Sequence, residues 1–156
     1  MAFHLAQLNV ARPAVALDSP TFGEFVALLP EINAIADAAP GFVWRLVDEG
    51  GQDAQSLRPF DAETMVNLSV WESVEDLRAY VYRSPHLDPL RRRREWFVPP
   101  TGAHHVLWWI PAGERPELAE AGRRLDALNR NGPGPEAFTL REAYGSTGER
   151  IATLTA

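Results

Sequence analysis

Residues 64–71 read TMVNLSVW, and this stretch constrains the fold more tightly than any other. A strand turns successive side chains to opposite faces. Val66, Leu68 and Val70 therefore form one wholly apolar face, while Met65, Asn67, Ser69 and Trp71 form another of mixed character. The apolar face calls for a core. The mixed face has two readings: a dimer-facing surface hydrogen-bonded across the contact, or the wall of a pocket.

The remaining elements are arranged around this strand. Residues 3–10 alternate loosely and read as a first strand. Asp18-Ser19-Pro20 starts a helix, with Ser19 at the N-cap and Pro20 at the first helical position. Phe22, Phe25, Val26, Leu29, Ile32, Ile35 and Ala36 then recur at helical spacing, and Pro40-Gly41 stops the run. Pro30 inside this stretch is expected to kink or split the helix, since it donates no hydrogen bond and its ring clashes one turn back.

Residues 42–47 (FVWRLV) read as a second strand, and the polar loop 50–58 is the expected mobile segment. Ser73 caps a helix running through Tyr82, with Val74, Leu77 and Val81 as its buried stripe. A second helical piece spans about 86–97. Pro99, Pro100 and Gly102 break the chain before residues 104–110 (HHVLWWI), the last strong strand. An amphipathic helix over 116–131 and a short strand around 137–140 follow.

The order is β-α-β-β-α-β with an additional C-terminal helix. It predicts an α+β chain, one domain over 1–156: a ferredoxin-like antiparallel sheet with helices on one face. A sheet covered on one face leaves the other bare. Pairing of two such sheets into a dimeric α+β barrel is the expected way to bury it.

Composition narrows the function. A net charge of −6 disfavours a nucleic-acid binder, which needs a basic surface for phosphates. There is no cysteine, so disulfides, thiolate nucleophiles and cysteine-bound metals are excluded. All 15 basic residues are arginine, which removes lysine Schiff-base chemistry and the Gly-Lys pair of a Walker loop. The N-terminal residues do not read as a signal peptide, and no apolar run is long enough to span a bilayer, so the expected location is cytoplasmic. Gly-x-Ser-x-Gly and Gly-x-Gly-x-x-Gly motifs do not occur.

The stretch SPHLDPLRRRREWF (84–97) holds the most chemistry. On a helix, His86, Leu90, Arg93 and Phe97 share one face, Arg92 and Trp96 share another, and Arg91 pairs with Glu95. The four arginines therefore fan out around the axis. They form either a solvated charged face with a salt bridge or, through Arg93 or Arg92, an anion-binding group. His86 reads as a general base or as a structural histidine hydrogen-bonded to its surroundings. His104 and His105, adjacent in a strand, face opposite sides and cannot share a metal, and no protein-built metal site is expected. Arg45, a charge in an apolar strand, needs a partner if buried.

HLAQLN (4–9), INAIAD (32–37), PGFVWRL (40–46), NLSVWES (67–73), YVYRSPH (80–86), RRRREWF (91–97) and LWWIPAG (107–113) together resemble a bacterial family labelled only as a domain of unknown function. That family is placed in the dimeric α+β-barrel superfamily, alongside cofactor-free antibiotic-biosynthesis monooxygenases, muconolactone isomerases, stress-responsive barrels and haem enzymes. The resemblance spans roughly residues 2–138. It implies a homodimer that binds a small molecule between sheet and helices. The implied activity is monooxygenase- or isomerase-like, on a small apolar or aromatic metabolite, with no tightly bound cofactor. In that reading His86 and Arg93 are catalytic, with Arg45 also steadying negative charge, and Arg45, Asn67, Trp71 and Trp96 bind substrate. The alternatives are a non-catalytic ligand-binding or stress-response barrel, or a haem-binding one with His86 or His4 as axial ligand.

Overall fold

The chain runs as β1 (Phe3–Ala11), α1 (Pro20–Asp37), β2 (Phe42–Arg45), β3 (Met65–Trp71), α2 (Val74–Arg83), α3 (Arg93–Trp96), β4 (His105–Pro111) and α4 (Leu118–Asn131) in a computed structural model. The structure describes residues 2–47, 59–61, 63–83 and 92–151. The sheet order is β2-β3-β1-β4, and every pairing is antiparallel. This is the ferredoxin-like arrangement that the element order predicts. The polar loop 50–58 and most of the segment 86–97 lie outside the described residues; α3 is the described end of the latter.

Local chemistry explains the ends of the elements. Ser19 has extended backbone and its Oγ accepts the Phe22 N–H at 3.2 Å, which opens α1 with Pro20 in its first turn. Contrary to the expected break, α1 continues through Pro30 to Asp37. Pro30 is exposed, so its ring lies on the solvent side and the helix loses one hydrogen bond without losing its packed face. Gly41 ends the following turn with φ +80°, and a Cβ there would meet the Asp76 side chain at 2.1–2.5 Å. Asp76 is fixed by Ser73, whose Oγ accepts its backbone N–H at 3.1 Å. Only glycine lets β2 begin this close to the start of α2.

Register sorts the side chains. Val66, Leu68 and Val70 pair with Val10, Leu8 and Ala6 of β1, and Val106 and Trp108 extend the same face. All but the partly buried Val10 are almost entirely buried, and Ala121 and Leu128 of α4 belong to the same core. Arg115 lies 5.5 Å over the Trp44 ring at the margin of this layer. The chain's own C-terminal helix thus covers the β4 and β1 part of the face expected to be bare.

The opposite face carries α1, α2 and α3. At one end Leu5, Trp71 and Leu107 pack with Val74 and Leu77 of α2 and with Phe138 and Leu140 of the tail. At the other, Phe22, Phe25, Met65, Trp96 and Phe97 close the layer. The tail is fixed by a bridge between Leu107 and Phe138, with backbone N–H···O bonds of 2.8 and 2.9 Å. Trp108 and Trp109 point to opposite faces as expected, Trp109 donating from Nε1 to the Tyr144 carbonyl at 2.8 Å. Among the described residues, no helix is long and apolar enough to cross a membrane.

Candidate small-molecule site

Helix α1 rests chiefly on β2 and α3 and arches over the middle of the sheet. Beneath it lies a cavity of about 250 Å³, between the sheet and the helices. Its floor is the mixed face of the central strands. Gln7 pairs in register with Ser69, and Asn9 with Asn67, so two amides, a hydroxyl and a further amide meet on adjacent strands.

Gln7, Asn67 and Ser69 form a directed network. Gln7 Nε2 donates to Asn67 Oδ1 at 2.7 Å and to Ser69 Oγ at 2.9 Å. Trp71 Nε1 donates to the same Ser69 Oγ at 2.9 Å. Both acceptor positions of the Ser69 hydroxyl are therefore filled, and its own proton is available only for donation. Ser69 lines the cavity, which places a pre-oriented O–H donor on its floor.

The walls are largely aromatic. Phe42 and Tyr80 surround Trp71 at one end, with ring centroids 5.5 and 5.1 Å from it. Phe25 contacts Trp96 and Phe97 at the other, at 5.3 and 4.9 Å. Burial, reinforced by the nearby Asp37 carboxylate and opposed by Arg45, pushes the Tyr80 phenol up to about 12. Tyr80 therefore presents a neutral O–H at physiological pH.

Five of the six candidate residues named from sequence line this one cavity: Arg45, Asn67, Trp71, Arg93 and Trp96. The sixth, His86, lies outside the described residues. Arg45 holds Asp37 through Nε at 2.8 Å and Nη2 at 3.3 Å, so the partner its burial called for comes from the end of α1. The arginine run divides by role. Arg92 binds Glu24 and Glu95 and stacks 4.7 Å over the Trp96 ring; Arg93 lines the cavity; Arg94 is exposed. Glu95 pairs with Arg92; the expected partner Arg91 lies outside the described residues.

His104 and His105 depart from the expected opposition. His104 precedes the first paired residue of β4, so strand alternation does not govern it, and the two rings lie 5.1 Å apart. Burial, then His104 and Arg93, lower the His105 imidazole to about 4. No described histidine lines the cavity, and no group of three or more potential metal ligands occurs among the described residues. The described walls thus offer no axial imidazole for haem.

Sequence reasoning missed Gln7, Asn33 and Tyr80 as lining residues. Two of them carried a readable signal. Leu29, Ile32, Asn33 and Ala36 occupy i, i+3, i+4 and i+7 of α1, so Asn33 is a polar residue set within an apolar stripe. Tyr80 likewise follows Val74 and Leu77 on the inner side of α2.

Residues 4–153 match the family described as Domain of unknown function (DUF3291). The chain belongs to this family. Comparison with curated protein sequences gives no match. Among solved structures, the chain is similar to SnoaB, a cofactor-independent oxygenase from Streptomyces nogalater, at 17% identity and TM-score 0.48, over 75% of this chain and 98% of that one. It is also similar to a putative antibiotic biosynthesis monooxygenase from Chloroflexus aurantiacus (16% identity, TM-score 0.47, over 72% and 97% of the two chains). A ferredoxin-like dabb family protein from Mesorhizobium loti is similar at 13% identity and TM-score 0.43, over 70% and 99%.

Proposed function

We propose that the chain binds a small, planar, largely aromatic metabolite beneath α1 and acts on it by oxygenase- or isomerase-like chemistry without a tightly bound cofactor. The Ser69 hydroxyl carries this reading. It is held by two N–H donors in a cavity walled by aromatic rings, so its proton is poised for a ligand oxygen rather than for the protein. A carbonyl or phenolate oxygen seated there is stabilised as it gains negative charge, because the donor needs no reorientation. Tyr80 supplies a neutral O–H in the same cavity, and Trp71 and Trp96 supply flat apolar surface for a ring.

The cavity walls described here polarise and orient; among the described residues none that lines the cavity is a carboxylate or imidazole able to remove a proton. The base therefore falls to His86, proposed from its place in the sequence, or to the ionised substrate itself. The test is oxygen uptake and product analysis with electron-rich phenols, in chelator and without added flavin or haem. Uptake that depends on the protein and drops in Ser69→Ala and His86→Ala supports the oxygenase reading. Binding without turnover supports the non-catalytic ligand-binding alternative. Absence of binding across the panel overturns the site.

A further inference from the structure

We infer that the ligand is an anion, a one- or two-ring aromatic carboxylate whose charged end sits against Arg93. This inference rests on the reading of the cavity as a small-molecule site. The chain has 21 Asp and Glu residues, yet among the described residues no Asp or Glu lines the cavity. Among the described residues two arginines line it, and they differ. Arg45 is neutralised by a two-pronged contact with Asp37. The side chain of Arg93, a partly buried residue, has neither an ion pair nor a hydrogen bond among the described residues, while its neighbour Arg92 engages Glu24 and Glu95.

In a protein of net charge −6, acidic partners are plentiful, so an arginine left unpaired at a cavity marks a place where the ligand brings the anion. A guanidinium matches a planar carboxylate with two parallel N–H···O bonds. Size and shape supply the rest of the ligand. A cavity of about 250 Å³ lies between the roughly 150 Å³ that holds benzene and the roughly 300 Å³ at which pockets for drug-sized molecules begin. One or two fused rings fill it. Trp96 and Phe97, three and four residues after Arg93, give the ring a wall directly beside the charged group. Asn33 on the roof lines the same space with an amide that makes no hydrogen bond among the described residues, suited to a neutral substituent on the ring.

Titration calorimetry on the full chain tests this with isosteric pairs: benzoate against benzamide, and 2-naphthoate against 2-naphthamide. The acid is expected to bind about tenfold or more tightly than the amide of the fitting pair. That preference is lost in Arg93→Gln and kept in Arg94→Gln, an exposed neighbour that serves as control. Equal affinities for acid and amide, or a preference that survives Arg93→Gln, overturn the anionic ligand while leaving the cavity as a site for neutral aromatics. If neither member of either pair binds, the small-molecule reading itself falls.

Discussion

The two faces of the sheet are made by the same strands, residue by residue in alternation, yet one is solid and the other hollow. On the face beneath α4, Leu8, Leu68, Val70, Val106 and Trp108 are at most 1% exposed and fill the layer completely. On the face beneath α1, bulky aromatics cluster at the two ends, around Trp71 and around Trp96, and hold the helix off the middle. There the side chains are Gln7, Asn9, Asn67 and Ser69, and Gln7, Asn67 and Ser69 hydrogen-bond along the floor instead of packing upward. Aliphatic side chains of even size allow a helix to seat closely. Large rings separated by short polar groups leave a gap that a flat ligand can occupy.

This contrast makes measurable claims. On the solid face, Leu68→Ala and Leu128→Ala are each expected to lower stability by about 2–5 kcal/mol in urea denaturation, because the layer has no room to relax. Losses below about 1 kcal/mol would show that α4 is loosely seated. The next effect comes from pH. His105 titrates near 4 in the folded chain against 6.5 ordinarily, so the unfolded chain takes up a proton first as the medium is acidified. The stabilisation from keeping it neutral is full above about pH 6.5 and is lost as pH falls toward about 4, amounting to roughly 3 kcal/mol. His105→Gln should flatten that part of the stability–pH curve, measured by denaturant melts at stepped pH.

Smaller still is Ser69→Ala on the hollow face. It leaves the Trp71 and Gln7 N–H groups without their shared acceptor and should cost about 1–3 kcal/mol of stability. Its distinguishing mark is a loss of ligand affinity that Leu68→Ala, one residue away on the other face, does not share once both are assayed folded. Smallest is Arg92→Gln. Its ion pairs with Glu24 and Glu95 are surface contacts, so stability should move by less than about 1 kcal/mol and ligand affinity should stay unchanged.

Much of the fold is legible in the chain because its signals are local. The alternation of TMVNLSVW separates the two faces, Ser19 and Ser73 cap their helices, and Pro40-Gly41 turns the chain where Asp76 leaves no space for a side chain. Pro30 was misleading for a physical reason. A proline costs a helix one hydrogen bond, and that loss is tolerable when the rest of the helix is anchored at both ends.

The candidate site was legible in part. Asn67 and Trp71 reach the cavity because strand alternation sets them on one face; Arg93 and Trp96, expected on different faces of their helix, both reach it because residues three apart are neighbours on a helix. Arg45 and Phe42 are three residues apart, and strict alternation would place them on opposite faces. A register irregularity between Phe42 and Trp44 lets both line the cavity. No periodicity reveals such a shift, because it arises from fitting β2 against β3.

By itself, then, the sequence determined the strands, the helices, their order and the chemical character of each face, since these follow from backbone geometry and residues a few positions apart. Only the tertiary structure decided which layer covers which face. It set α4 on the apolar side, propped α1 over the polar side, and gave Arg45 a carboxylate while Arg93 has none among the described residues. Those outcomes depend on contacts between residues distant in the chain and on how unequal volumes fill a shared space, and neither is written in any local pattern.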